Sequence, residues 1–348
     1  GEGDRAELAK EIGMTRETWG AAFSSKTAKM SMNIAEVDDA KGAAIKRSEY
    51  KIDAQNFRFT FGEQEVPKDF TRMGSLLDAE KAMWGRELGI ERQWTAVEAS
   101  ITKGAGPLKF SQGQLKSESG SFDSQDLEMN ISGWSLSRID RDVSDGFASM
   151  GAMQDGERNE HIKAITKMYD TKGFGFNGND VGWFMRGKGL NRSLTRVSGS
   201  PFKGWNLTFD TLELDGLTDG GQLDTFHLTG KGVEAKYRGV RLGEKFTDVA
   251  NLMDFERARL GSISGLDQED FGLSFALGKN KISLGMMSAE TPLGGAERQS
   301  FGFASKDLNV TVNNREVDPT FANVGQLADP EKDFLNALRG FNQRDIRA

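Results

Sequence analysis

The sequence predicts an α+β fold: a β-rich repeat array of about four helix-plus-three-strand units, forming a long, one-sided antiparallel or mixed sheet with amphipathic helices. Three observations predict it. A fixed spacing of apolar residues recurs four times. Each recurrence begins with strict alternation of apolar and polar residues, the mark of a strand with one dry face. Each is followed by apolar residues three and four apart, the mark of a helix with one greasy stripe.

The recurring spacing is three alternating apolar residues, a fourth five positions on, and a fifth four positions beyond that. Its copies are Phe57, Phe59, Phe61, Val66, Phe70; Leu127, Met129, Ile131, Leu136; Val233, Ala235, Tyr237, Leu242, Phe246; and Leu308, Val310, Val312, Val317, Phe321. Nineteen of twenty apolar slots are filled, the exception being Asp140 in the second copy. The copies start 70, 106 and 75 residues apart. An internal repeat at this scale implies modules that bury a continuous apolar face only when stacked.

In chain order the first half, 1–169, opens with a helix over 4–23 carrying Leu8, Ile12, Trp19 and Phe23. Strands over 29–61 precede a helix over 67–88, where Pro67 suits a helix start and Phe70, Met73, Leu76, Met83 and Trp84 form the stripe. Strands over 95–136 lead to a helix over 141–169, interrupted at Gly151 and Gly156. The second half, 170–348, has strands over 173–242 with an inserted segment at 187–217, then a helix over 244–260 carrying Phe246, Leu252 and Leu260. Strands over 271–317 and a helix over 319–341 complete it. Asp219-Gly220-Gly221 and, more loosely, Asn313-Asn314 are turn signals.

Composition narrows the function classes. With 45 basic and 52 acidic residues among 348, the chain carries a diffuse net charge of −7, which argues against nucleic acid as a partner. No apolar run is long enough for a transmembrane helix. The absence of Cys excludes disulfides, thiolate metal sites and cysteine nucleophiles, and is compatible with an oxidising envelope. An opening Gly1 with no charged-then-apolar leader reads as a processed start.

Catalytic chemistry finds little support, and neither a cofactor nor a metal is expected. His161 lies in a charged stretch and reads as a solvated surface residue; His227, between Phe226 and Leu228, belongs to the wet face of a strand. Gly173, Gly175 and Gly178 match a dinucleotide-binding spacing but follow a helix and lead into a strand, the reverse of the required context. Asp140 to Gly146 hints at a calcium loop, yet Asp145 and Gly151 occupy the Gly and Glu positions. An acidic helix start accounts for it more simply. Trp134, Trp183 and Trp205, each next to Gly, suit stacking on sugars or, more commonly, core packing; Trp19 and Trp84 read as core.

The stretch FDTLELDGLTDGGQLDTFHLTGKGVEAKYRGVRLG, within 95–315, resembles the strand-turn-strand text of AsmA-like and TamB-like bacterial envelope proteins. That resemblance implies a long, curled, one-sided greasy sheet and a part in moving lipids between membranes, in the envelope or periplasm or in secreted form. The interposed helices depart from it. The expected function is non-enzymatic: binding or conveying a lipid-like hydrophobic ligand along an apolar face. The residues expected to line it are Phe57, Phe59, Phe61, Leu127, Met129, Ile131, Val233, Tyr237, Phe271, Leu273, Phe275, Leu308, Val310 and Val312. The same residues also suit a core beneath the helices; the choice turns on whether the helices seal the sheet. The alternatives are a structural or assembly subunit joining partners or copies through exposed sheet edges, and a polysaccharide-active or sugar-binding protein.

Overall fold

A computed structural model describes residues 13–85, 87–100, 106–147, 189–216, 218–246, 252, 254–261, 263–321 and 342–347. The chain divides into two compact units, the first 1–132 with 138–189, the second 133–137 with 190–348. Strands dominate both. They are β1 Met14–Ser24, β2 Ala28–Asp39, β3 Ala44–Ala54, β4 Phe57–Val66, β5 Ile90–Ala99, β6 Leu108–Ser117, β7 Gly120–Ile131, β8 Trp134–Val143, β9 Asn191–Gly199, β10 Trp205–Asp215, β11 Gly220–Gly230, β12 Val233–Leu242, β13 Asp267–Leu277, β14 Asn280–Thr291, β15 Gly294–Ala304, β16 Asn309–Val317 and β17 Asn342–Arg347. Two α-helices of seven residues are described, α1 Asp78–Trp84 and α2 Asp254–Leu260.

Each unit is an antiparallel meander in which a strand pairs with its successor: β1 to β7 in the first unit, β9 to β17 in the second. Connections at one end are short turns. Ser132-Gly133 and Lys231-Gly232 both have positive φ at each residue, the mirror-image turn whose twist matches that of the flanking strands. At the other end, every second connection is long. β8 spans the boundary between the units.

The α+β expectation is therefore corrected to a nearly all-β fold. Residues 14–23 of the expected first helix belong to strand β1, in which Trp19 and Phe23 share a face. Positions four apart coincide on a strand as well as on a helix, so that spacing does not separate the two. Among the described residues of 67–88 only α1 is helical, apart from a single 3-10 turn at Met73–Ser75, and among those of 244–260 only α2, residues 247–251 and 253 lying outside the described residues. The expected helix over 141–169 begins on strand β8, and its residues from 148, like 322–341 of the last helix, lie outside the described residues. The supposed insertion at 187–217 supplies the ordinary strands β9 and β10, and Asn313-Asn314 lies inside β16.

The repeat itself reappears as a group of four strands closed by a long loop. After β4, β8, β12 and β16 a buried aliphatic residue is followed four positions later by a buried Phe: Val66 and Phe70, Val143 and Phe147, Leu242 and Phe246, Val317 and Phe321. In all four the Phe amide donates to a carbonyl three residues back, that of Pro67, Ser144, Gly243 or Asp318. The second copy of the spacing thus belongs on Trp134, Leu136, Val143 and Phe147 of β8, seven residues beyond Leu127. Around these Phe side chains lies the core, at the long-loop end: Val37, Ile45, Leu76, Trp84 and Ile90 in the first group, and Leu212, Leu214, Leu223, Leu252 and Leu260 in the third.

Each long loop is also tied to the hairpin beside it. Ser144, Gly243 and Asp318 donate their amides to the carbonyls of Ser121, Gly220 and Gly295. The residue at this position in the first group is Pro67, which has no N–H to give. There the buried Asp39 makes the tie, accepting from the amide and the hydroxyl of Thr71 at 2.8 and 2.7 Å, while its other oxygen accepts from the amides of Lys41 and Ala43. The Thr71 donors, more than those of Lys41 and Ala43, hold the Asp39 carboxyl well below the usual carboxylate range.

Candidate functional site

The two faces of each meander differ in chemistry. In the first unit the register aligns Phe23, Met30, Ile52, Phe59, Val97, Phe110 and Leu127 in one cross-strand row. Met32, Tyr50 and Phe61 lie in the row on one side, with the Tyr50 and Phe61 rings 6.2 Å apart; Ala54, Phe57, Ala99 and Leu108 lie on the other. Met129 and Ile131 continue the face along β7. In the second unit Leu207, Leu228, Ala235, Leu273, Leu284, Phe301 and Val312 form a row. It is flanked by Phe209, Phe226, Tyr237, Phe271 and Met286 on one side and by Val233, Phe275, Ile282, Phe303 and Val310 on the other, with Leu308 just beyond.

The register thus brings the residues expected on an apolar face together with their unit-mates, Leu308 standing just beyond the strand. What the sequence missed is that this face has no roof among the described residues. Trp19, expected in the core, is 65% exposed on it, and Met286 is 58% exposed. The described helices pack on the opposite face: Arg47, Gln64 and Arg92 donate to carbonyls of Met83 and Trp84 at the end of α1, and Arg192 pairs with Glu256 of α2. Trp134, 37% exposed, and Trp205 stay out of the core. They lie across Gly199 and Gly230, where a Cβ would come within 2.5 Å of each indole. Trp183, His161 and the glycines at 173–178 lie outside the described residues.

The opposite face is polar. Toward the short turns it carries small residues such as Ser31, Thr60, Ser111, Gly272, Ser283 and Gly302. Charged pairs stand farther along. Arg196 grips Asp210 with two bonds of 2.6 and 2.9 Å, Arg238 meets Asp270 at 2.9 Å, and Arg141 meets Asp126 at 2.6 Å. The Arg47 guanidinium lies 4.7 Å from the centre of the Trp94 ring, and Trp94 in turn lies flat over Gly62, whose absent side chain makes the room. His227 projects here and meets Glu234 at 3.2 Å. Arg and Asp recurring midway along polar-facing positions were a readable signal for these pairs. The calcium-loop segment is the end of strand β8 as far as Val143 and a turn beyond it, with Asp140 held by Arg138. Among the described residues no cluster of three or more metal-ligating side chains exists.

Sheet faces this unlike call for two unlike environments.

No family model and no curated protein matches the sequence. Solved structures to which it is similar include Pseudomonas aeruginosa OpdQ, at 9% identity and a TM-score of 0.30, covering 86% of this chain and 84% of that one. Acinetobacter baumannii OccAB2 follows at 7% identity and a TM-score of 0.29, covering 87% and 89%. P. aeruginosa OccK2 (OpdF), solved in complex with glucuronate, has 10% identity and a TM-score of 0.30, covering 96% and 87%. Superposition at this level settles neither fold nor function.

The resemblance to AsmA-like and TamB-like proteins is corrected: no family model matches, and in place of helix-plus-strand modules the described residues form antiparallel meanders with one apolar and one polar face. The lipid-conveying reading is corrected as well: with the described helices on the polar face, the apolar rows of each unit form an open band and, among the described residues, no groove that would enclose a lipid as cargo. The assembly alternative is corrected with it: β2 to β6 and β10 to β16 are hydrogen-bonded on both sides and offer no free edge. The sugar-binding alternative is not supported either, one face of each indole being taken up by Gly199 or Gly230.

Proposed function

We propose that this chain is a non-enzymatic channel protein of the bacterial outer membrane, crossing the bilayer with its strands and passing small polar solutes along its polar faces. The observation that carries this reading is the uncovered apolar band of each unit, backed by a polar face through strict alternation. Lipid-facing and water-facing residues alternate in this way along membrane-spanning strands. Rows three to four deep give a band of roughly 20 Å along the strands, close to the ~25 Å band of outer-membrane proteins.

Energetics favour the bilayer over water. Removing one Phe, Leu or Met side chain from water is worth about 1.5–3 kcal/mol, and each unit exposes several. A contiguous apolar surface of that extent is rare on a protein that stays in water. The envelope placement expected from the sequence is thus narrowed to the outer membrane, replacing the periplasmic or secreted state. No helix among the described residues is long and apolar enough to cross a membrane. The paired arginines and aspartates of the polar face would meet hydrated solutes. Refolded protein added to a planar bilayer should produce stepwise ionic conductance; protein that remains in the aqueous phase, with vesicles unaltered in permeability, would refute the reading.

A further inference from the structure

At the end of the second unit's meander where every connection is a short turn, each of the four turns carries a lysine: Lys203 between β9 and β10, Lys231 between β11 and β12, Lys279 between β13 and β14, and Lys306 between β15 and β16. All four are exposed, and none forms an ion pair among the described residues. Asp307 is the one acidic residue in these turns. Charges on the neighbouring polar face behave otherwise, since Lys236 and His227 both meet Glu234. Lys231 also occupies the left-handed region at φ 47, where Gly or Asn would sit more cheaply. Beside the lysines stand large apolar side chains in water, Phe202 at 71% and Leu277 at 56% exposed.

The far end of the outward face has the opposite sign. Beyond the apolar rows the strands present Glu213, Asp267, Glu269, Glu290, Glu297 and Glu316, with Arg241 the one base among the residues paired with them there. The unit is therefore basic at the rim of short turns and acidic past the apolar band, along a single axis.

We infer that the short-turn rim of the second unit docks on a leaflet of anionic phospholipid, its four lysines contacting the phosphate headgroups while Phe202 and Leu277 enter the acyl boundary. These lipids are the surrounding bilayer rather than cargo. The inference rests on the transmembrane reading and adds to it a charge-based contact between this rim and the headgroups. A lysine beside an anionic surface gains severalfold in affinity, an effect that salt screens.

The test compares insertion of full-length protein into phosphatidylcholine vesicles with and without phosphatidylglycerol. Wild type should insert about tenfold faster when phosphatidylglycerol is present, an advantage removed by high salt. The quadruple variant K203Q/K231Q/K279Q/K306Q should lose that advantage yet insert into pure phosphatidylcholine like wild type, and the corresponding Lys→Arg variant should retain it. A Gln variant that keeps the preference, or a wild type without one, overturns the inference alone. Failure of wild type to enter either vesicle overturns the transmembrane reading and the inference with it.

Discussion

Arg192 and Glu256, 64 residues apart, are joined by two hydrogen bonds, Nε to Oε1 at 2.8 Å and Nη2 to Oε2 at 3.2 Å. Arg16 and Glu80 repeat the arrangement in the first unit at the same separation, at 2.6 and 3.3 Å. In each case the first strand of a four-strand group clasps the short helix that follows the fourth. The Glu256 side chain is wholly buried, whereas the Arg16 and Glu80 side chains remain partly exposed.

That difference sets the expected cost of breaking each pair. Arg192→Ala strands a buried carboxylate and should destabilise by about 3–5 kcal/mol, read from denaturant unfolding in detergent. Arg16→Ala, closer to solvent, should cost about 1 kcal/mol. Equal losses at the two sites would show that burial does not govern the clasp.

Phe70, Phe147, Phe246 and Phe321 fill equivalent positions, each 0–1% exposed. Replacing any one by Ala should cost about 3–5 kcal/mol, with similar values across the four. A single outlier near zero in the unfolding series would remove that loop from the repeat.

The Asp39 carboxyl, held below its usual range by Thr71, has a lower pKa folded than unfolded. Its contribution to stability is therefore complete above the unfolded value, about 4, and is lost as pH falls through the folded value. Wild type should lose stability between neutral and acidic pH more steeply than Asp39→Asn. Parallel unfolding curves for the two proteins would contradict the assignment.

Gly62→Val should force the Trp94 ring from its seat, since even a Cβ there would lie 2.0 Å from Cζ2. The cation–π contact with Arg47 would go with it, changing near-ultraviolet circular dichroism. An unchanged spectrum would mean that the ring does not rest on this glycine.

Much of the strand content was legible because alternation is a direct image of two faces. Phe57-Arg58-Phe59-Thr60-Phe61 could be read residue by residue, and so could Val233 to Tyr237. The second repeat was placed seven residues early because β7 carries the same alternation as every strand of its unit; only an aliphatic residue followed four positions on by Phe marks the end of a group. The helices were over-read for a different reason. Phe70, Leu76 and Trp84 are spaced as on a helix, but they are buried by a loop folding over the strand ends, which imposes no helical period. The arginine–aspartate pairs of the polar face were invisible as pairs, since Arg196 and Asp210 meet only through the register of β9 and β10.

The central claim is that the alternating faces of β4 and β12 separate lipid from water. The chain has no cysteine, so single cysteines at 57 to 61 and at 233 to 237 can be labelled without background. In vesicles, positions 57, 59, 61, 233, 235 and 237 should react only with a bilayer-soluble reagent, and positions 58, 60, 234 and 236 with a water-soluble one. Uniform reaction with the water-soluble reagent, with no period of two, would contradict the account.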